Sequence, residues 1–171
     1  MSLTCRVIAA VRPQGDPAVH SQEEIQMNGP ALTLLKTACI STFLLGLIGA
    51  AASLPALAAP WSLLLDLARW PLDGAQSAGS SEARILSAIG GGLTCGWAVM
   101  LYGLAAGPIS RGDGDMKRLF IASVLTWFTI DSLASFAAEW PGNVVLNLVF
   151  AAMLLAPFML DRETTARPAV A

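Results

Sequence analysis

Residues 84–103 read RILSAIGGGLTCGWAVMLYG, a stretch in which the arginine at the first position carries the one charge. Five of these residues are glycines, and glycine costs about 1 kcal/mol relative to alanine inside a water-soluble helix. In a membrane, lipid tails give helices no hydrophobic reason to associate, and small residues four apart let two backbones approach closely. The stretch therefore predicts a membrane-spanning helix that packs against other helices.

The composition extends this prediction to the whole chain. Of the 171 residues, 55% are hydrophobic and 13% are charged, whereas a soluble domain carries about 25% charged residues. A membrane-spanning helix needs about 20 apolar residues. The chain has four blocks of about this length, at 31–54, 84–106, 116–138 and 143–160. We expect an all-α polytopic membrane protein with four transmembrane helices; the buried helical core of a soluble protein is the alternative.

The two ends of the chain lie outside this four-helix domain, which we place at 27–160. Residues 1–26 show no helical period and are either a disordered tail or a mis-annotated upstream extension. The second interpretation places the start of translation at Met27, because Gln22-Glu23-Glu24 can be encoded with a ribosome-binding sequence just before it. Residues 161–171 are expected to form a cytoplasmic tail. Ala56-Leu57-Ala58 resembles a cleavage site, but the apolar run before it exceeds the roughly 7–15 residues of a signal peptide, so we expect a retained helix.

The distribution of Lys and Arg predicts the orientation, because these residues concentrate on the cytoplasmic side of membrane helices. Placing both termini in the cytoplasm puts most of them on that side: Lys36, Arg111, Lys117, Arg118, Arg162 and Arg167. The expected location is the bacterial inner membrane, with the lipid bilayer as partner. No basic patch with interleaved aromatic residues points to nucleic acid.

A short helix is predicted between the first and second spans, in PWSLLLDLARWPLDG at 60–74. Asp66 and Arg69 share a polar face, and Trp61 and Trp70 are typical of a membrane–water boundary. We expect a helix lying in the interface and anchored by these four residues; an irregular apolar loop packed on the bundle is the alternative. Residues 74–83 are expected to form a flexible Gly/Ser linker.

Two residues are predicted to cap the helices that follow. Ser81 is the expected N-cap of the second span and Asp115 that of the third, because serine and aspartate side chains accept hydrogen bonds from the first backbone N–H groups of a helix.

Small residues predict the faces through which the helices pack. Gly92 and Gly96 form a GxxxG pair on a face that Gly103 extends, and Gly46 and Ala50 form a similar stripe on the first span. We expect the contact within the chain; another membrane protein or a second copy of this chain is the alternative.

Asp131 is the strongest functional signal, because a carboxylate inside a membrane helix is costly and is expected to have a partner in the interior. Ser135 shares its helix face, Asn143 and Asn147 lie four apart on the fourth span, and Arg84 begins the second span at the same level. We expect these five residues to converge in the outer half of the bundle. They form either a polar network that fixes helix register or an outward-facing pocket for a cation, a proton or a small polar ligand.

Motifs for catalysis and for cofactors are missing from the sequence. It contains no P-loop, GxSxG, HExxH or dinucleotide fingerprint, its three cysteines form no CxxC pair, and it has one histidine, at position 20. We therefore expect no enzyme, no cofactor and no metal.

The segments WPLDG, AIGGGLTCGWAVMLY, WFTIDSLASF and PGNVVLNLVF, with a late Pro157, resemble small four-helix inner-membrane proteins of proteobacteria. The resemblance covers about 44–160 and implies the fold but no activity. The leading functional hypothesis is a non-enzymatic accessory or scaffold protein that acts through helix contacts. The second is a small transporter or channel-like carrier that uses the polar residues around Asp131.

Overall fold

The computed structural model of the chain describes residues 26–166, with side chains to residue 161. The interpretations of residues 1–25 and 167–171 lie outside the described residues. The described part forms five α-helices and no strand: α1 Gly29–Ala51, α2 Ala59–Arg69, α3 Ser81–Ala106, α4 Gly114–Ala137 and α5 Pro141–Ala166.

Four of these helices, all but α2, are long and apolar enough to cross a membrane. This confirms the predicted all-α fold with four potential spans and a short helix between the first two. Helix α5 continues to Ala166, past the predicted end of the fourth span at 160, and Asp161 is buried; the cytoplasmic location of the tail at 161–171 stays a prediction.

The helix caps differ from the predicted ones by one or two residues. Ser80, not Ser81, caps α3, since its Oγ accepts the Ala83 N–H at 3.1 Å. Asp113, not Asp115, caps α4, since its Oδ1 accepts the N–H groups of Asp115 and Met116, each at 3.0 Å. In both cases the earlier polar residue has the extended backbone that an N-cap needs.

Removing the Asp113 cap is expected to cost about 1 kcal/mol, within the range of roughly 0.5–2 kcal/mol for such changes. The measurement is the thermal midpoint of Asp113→Ala in mild detergent. Asp115→Ala is the matched control, because Asp115 is exposed and pairs with exposed Arg118. An equal or larger loss for Asp115→Ala would show that the cap is assigned to the wrong residue.

The spans pack as two pairs, since α1 lies along α3, α4 lies along α5, and α1 also contacts α5. Gly91 of α3 makes the closest contact in the first pair. An ideal Cβ at Gly91 would lie 2.5 Å from the Gly46 carbonyl oxygen and 2.8 Å from the Ala50 Cα. Gly46 and Ala50 therefore lie on the contact face, as the sequence indicates.

The predicted glycines of α3 are not on this face. A Cβ at Gly92, Gly96 or Gly103 would have nothing within 4 Å, and all three residues are exposed. The prediction of an intrachain contact through them is wrong, because the 3.6-residue helical repeat turns Gly91 toward α1 and its neighbour Gly92 away from it.

The solid core fills one half of the bundle, which we call the Lys117 end. Its buried residues come from the start of α1, the end of α3, the start of α4 and the later part of α5, among them Leu35, Leu101, Phe120 and Leu154.

Asp161 joins three helices at the Lys117 end. It accepts the Asn28 N–H at 2.9 Å through Oδ1, and its Oδ2 lies 3.7 Å from Lys117 Nζ. Lys117 also lies over the Phe158 ring, 5.2 Å from its centroid. These contacts link the N-cap of α1, the start of α4 and the end of α5.

Helix α2 closes the opposite end of the bundle, which we call the α2 end. It packs on the start of α5, where Gly142 lies so close to the carbonyl oxygens of Leu67 and Ala68 that a Cβ would overlap them. Arg69 donates a hydrogen bond to the Glu139 carbonyl oxygen. The predicted short helix is therefore present, and it is docked on the bundle.

Asp66 was expected on an exposed polar face, but it is buried. Its carboxylate accepts the Gly74 N–H at 3.0 Å and 3.1 Å, and Ser62 Oγ accepts the Ala78 N–H at 3.4 Å. The polar face of α2 is turned inward because Asp66 and Ser62 accept hydrogen bonds from the backbone N–H groups of the segment that follows α2. The predicted flexible linker at 74–83 is thus held against α2, and from Ser81 onward it belongs to α3.

Candidate functional site

A cavity of about 700 Å³ lies between the two helix pairs, and α2 forms its wall at the α2 end. All five helices line it, mostly with apolar and aromatic side chains such as Leu45, Trp61, Trp97, Trp127 and Phe150. Ligand pockets in proteins are typically of about 300–1,000 Å³, largely apolar and provided with a few polar groups. The volume and lining of this cavity fall in that class.

The cavity opens sideways, between α3 and α4. Its lining residues on α1 and α5 include the buried Thr42, Asn147 and Leu154, whereas those on α3 and α4 include the exposed Leu93 and Ala122. Helix α3 contacts α4 far less than it contacts α1, so a gap remains between them. In a bilayer such a gap would face lipid chains.

A tryptophan bridges the gap from α3 to α4. Trp97 donates a hydrogen bond from Nε1 to Ser123 Oγ at 2.9 Å, and its ring centroid lies 5.6 Å from that of Trp127. All three side chains line the cavity. Sequence reasoning missed this bridge; the signal was an indole N–H inside a span, which needs an acceptor on a neighbouring helix.

Polar side chains of α4 and α5 meet at one wall of the cavity. Asp131 Oδ2 accepts hydrogen bonds from Asn147 Nδ2 at 2.6 Å and from Asn143 Nδ2 at 3.1 Å. Asn143 Nδ2 also donates to Ser135 Oγ at 2.8 Å, and Asn147 Nδ2 to Ser132 Oγ at 3.2 Å. The two asparagines line the cavity, while Asp131 and the serines lie behind them.

Four of the five predicted pocket residues therefore come together, and Arg84 does not. Arg84 Nη1 donates to the Gly79 carbonyl oxygen at 3.4 Å, and within residues 26–161 it forms no ion pair with Asp131. The expectation for Arg84 is wrong because α3 packs against α1, which keeps its start away from α4.

The predicted interfacial anchors lie in different surroundings. Trp70 is 60% exposed, as a boundary residue would be. Trp61 instead packs on Gly49 and lines the cavity. Helix α2 lines the cavity at this end, and the exposed lining residues lie on α3 and α4; whether the site faces outward stays a prediction.

The site offers hydrogen bonds and apolar contacts. Across the described part of the chain, no three His, Cys, Asp or Glu side chains come together in a way that would hold a metal ion. The polar groups that line the cavity are amides, hydroxyls and indoles. Among the described residues, no charged side chain lines it.

No family model, curated protein or solved structure matches this chain. The class of protein is therefore described by its structure alone. Four helices are long and apolar enough to span a membrane, and they surround a cavity whose exposed lining residues lie on α3 and α4.

Proposed function

We propose that this chain is a membrane-embedded binding protein for a small lipid-soluble molecule with a polar end. The molecule enters from the lipid phase through the gap between α3 and α4, and its polar end reaches Asn143 and Asn147. The setting is the bacterial inner membrane with both termini in the cytoplasm, and the protein binds its ligand without transforming it.

The observation that carries this proposal is the cavity of about 700 Å³ with its lateral opening. Membrane helices associate through close packing, so an open space of this size between the helices leaves lining side chains without packing contacts. A bound molecule restores those contacts. The apolar lining favours a hydrophobic body, and the asparagines at one wall favour a polar group.

This proposal develops the second functional hypothesis of the sequence. The first, a scaffold that acts through helix contacts, depended on Gly92 and Gly96. Both face outward and leave the intrachain contact to Gly91, so their partner would be a helix of another molecule, as a scaffold needs; that hypothesis stays a prediction.

The test compares binding of 4-phenyl-1-butanol by three forms of the protein in mild detergent, using titration calorimetry. Ala122→Trp places a large ring in the exposed part of the cavity lining on α4. Ala134→Trp places the same ring at an exposed position of the same helix outside the lining. We expect saturable binding to the wild type, a loss of about tenfold or more in affinity for Ala122→Trp, and little change for Ala134→Trp.

Mass spectrometry of the protein purified from its own host's membranes gives the complementary result. A small molecule with an apolar body is expected to remain with the wild type and with Ala134→Trp, and to be lost from Ala122→Trp. Binding that does not saturate, or that Ala122→Trp leaves unchanged, would contradict a ligand-binding role for the cavity.

A further inference from the structure

We propose that the molecule bound in the cavity carries a positively charged head that donates hydrogen bonds to Asn143 and Asn147, as an organic ammonium ion does. This inference rests on the proposed function and names the ligand class for the same cavity. It follows from the orientation of the two amides, the charge behind them and the aromatic lining beside them.

The amide orientation is fixed by Asp131. A carboxylate accepts hydrogen bonds, so the nitrogen of each asparagine must face Asp131 and the oxygen must face away. Each nitrogen donates twice, to Asp131 and to a serine, which uses both of its N–H groups. The asparagines therefore have acceptor oxygens left for a ligand and no donors.

Within the described part of the chain, both amide oxygens are left without a hydrogen-bond partner and keep some accessible surface. Within residues 26–161 neither oxygen receives a hydrogen bond. Among those same residues, the buried side-chain polar atom without a partner is the Trp61 indole nitrogen, so the Asn143 and Asn147 oxygens are not sealed. Asn147 is 5% exposed and lines the cavity, and its nitrogen is turned toward Asp131 and Ser132, so we infer that its oxygen is the group turned toward the cavity. A ligand group that donates hydrogen bonds meets two acceptors at this wall.

The charge of the surroundings favours a cation over a neutral donor. The Asp131 carboxylate stands directly behind both amides, within hydrogen-bonding distance of each nitrogen. No Lys or Arg lines the cavity among the described residues, and Arg69 and Arg84 at the α2 end donate hydrogen bonds to the carbonyl oxygens of Glu139 and Gly79. Hydrogen bonds from a charged donor are roughly twice as strong as neutral ones.

The aromatic lining suits the body of such a ligand. Trp97 and Trp127 lie together on the α3–α4 side of the cavity, and tryptophan faces attract organic cations as well as planar apolar groups. A molecule with a flat or branched apolar body and one ammonium group fits both walls.

The experiment uses three probes with the same body and different heads: 4-phenylbutylammonium, 4-phenyl-1-butanol and 4-phenylbutyrate, each titrated into the purified full chain at neutral pH. We expect the ammonium to bind about tenfold more tightly than the alcohol and the carboxylate to bind most weakly. Asp131→Asn keeps an acceptor oxygen for the two amides and removes the charge. It is expected to weaken ammonium binding about tenfold and alcohol binding less than about threefold.

Asp66→Asn is the control, because it removes the charge of a different carboxylate, which is buried and does not line the cavity. It is expected to leave the ranking of the three probes unchanged. If the alcohol binds as tightly as the ammonium, or if Asp131→Asn leaves ammonium binding unchanged, the cationic head is wrong while the binding role stands. If none of the three probes binds saturably, the binding role itself is wrong. If Asp131→Asn fails to fold, the order of the three probe affinities for the wild-type protein decides whether the bound head is cationic.

Discussion

Gly91→Ala is expected to destabilise the bundle more than any other single added methyl group on α3. The new Cβ would overlap the Ala50 backbone nitrogen and lie 2.5 Å from the Gly46 carbonyl oxygen. The overlapped atoms belong to the α1 backbone, so the overlap cannot be relieved by moving a flexible side chain. Helices α1 and α3 must therefore separate along their shared face. Overpacking of this kind costs about 1–3 kcal/mol or more, which for a chain of this size lowers the thermal midpoint by roughly 2–12 °C.

The measurement is the thermal midpoint of the monodisperse protein in mild detergent, together with the yield of that species. Gly92→Ala is the matched control, because it adds the same methyl group one residue away, where nothing lies within 4 Å. It is expected to be neutral or slightly stabilising, since alanine is the better helix former. If Gly92→Ala lowers the thermal midpoint and Gly91→Ala does not, the GxxxG pair lies at the contact between α1 and α3, and the packing described above is wrong.

Gly142→Val is expected to release α2 from the bundle while leaving the Lys117 end folded. A Cβ at Gly142 would overlap the Leu67 carbonyl oxygen and lie 2.8 Å from that of Ala68. Because these carbonyls belong to the last turn of α2, the helix must move away from α5, and the hydrogen bond from Arg69 to Glu139 is lost with it. The cavity then loses its end wall.

Trypsin reports this release, because Arg69 becomes accessible when α2 leaves its place. We expect cleavage after Arg69 to accelerate by about tenfold or more, in line with the loss of about 1–3 kcal/mol of docking energy. Gly114→Val is the control at the start of another helix, where nothing lies within 4 Å of the added Cβ. Unchanged protection of Arg69 in Gly142→Val would show that α2 docks by other contacts.

The sequence determines the helices better than it determines their faces. Hydropathy and length are local properties, so the four potential spans and α2 are predicted directly from the order of residues. The end of the first span is less exact: α1 ends at Ala51, before the predicted end at 54, and Leu54 has the extended backbone favoured before Pro55. The sequence does not show which of several adjacent, chemically similar residues caps a helix or makes a helix contact. Ser80 and Ser81 are both good caps, and any of three consecutive glycines satisfies a small-residue pattern.

Tertiary contacts decide the remaining features of the site. The spacing of Asp131, Ser135, Asn143 and Asn147 predicts a shared level, because each pair lies one turn apart on its own helix. Asp66 looks like a surface residue until the chain folds back and presents the Gly74 N–H. The cavity depends on the separation of two helix pairs, and no local pattern encodes that separation.

The small overlap between the packed core and the cavity lining has a consequence for how such a chain evolves. Among the fully buried residues of the core cluster, Leu154 alone also lines the cavity. Substitutions at cavity positions such as Leu64, Thr94 or Thr126 meet open volume, so larger or smaller side chains are accommodated there without disturbing the core. Under the proposed binding role, selection can therefore exchange one preferred ligand for another through the cavity lining, while the packed core preserves the folded state.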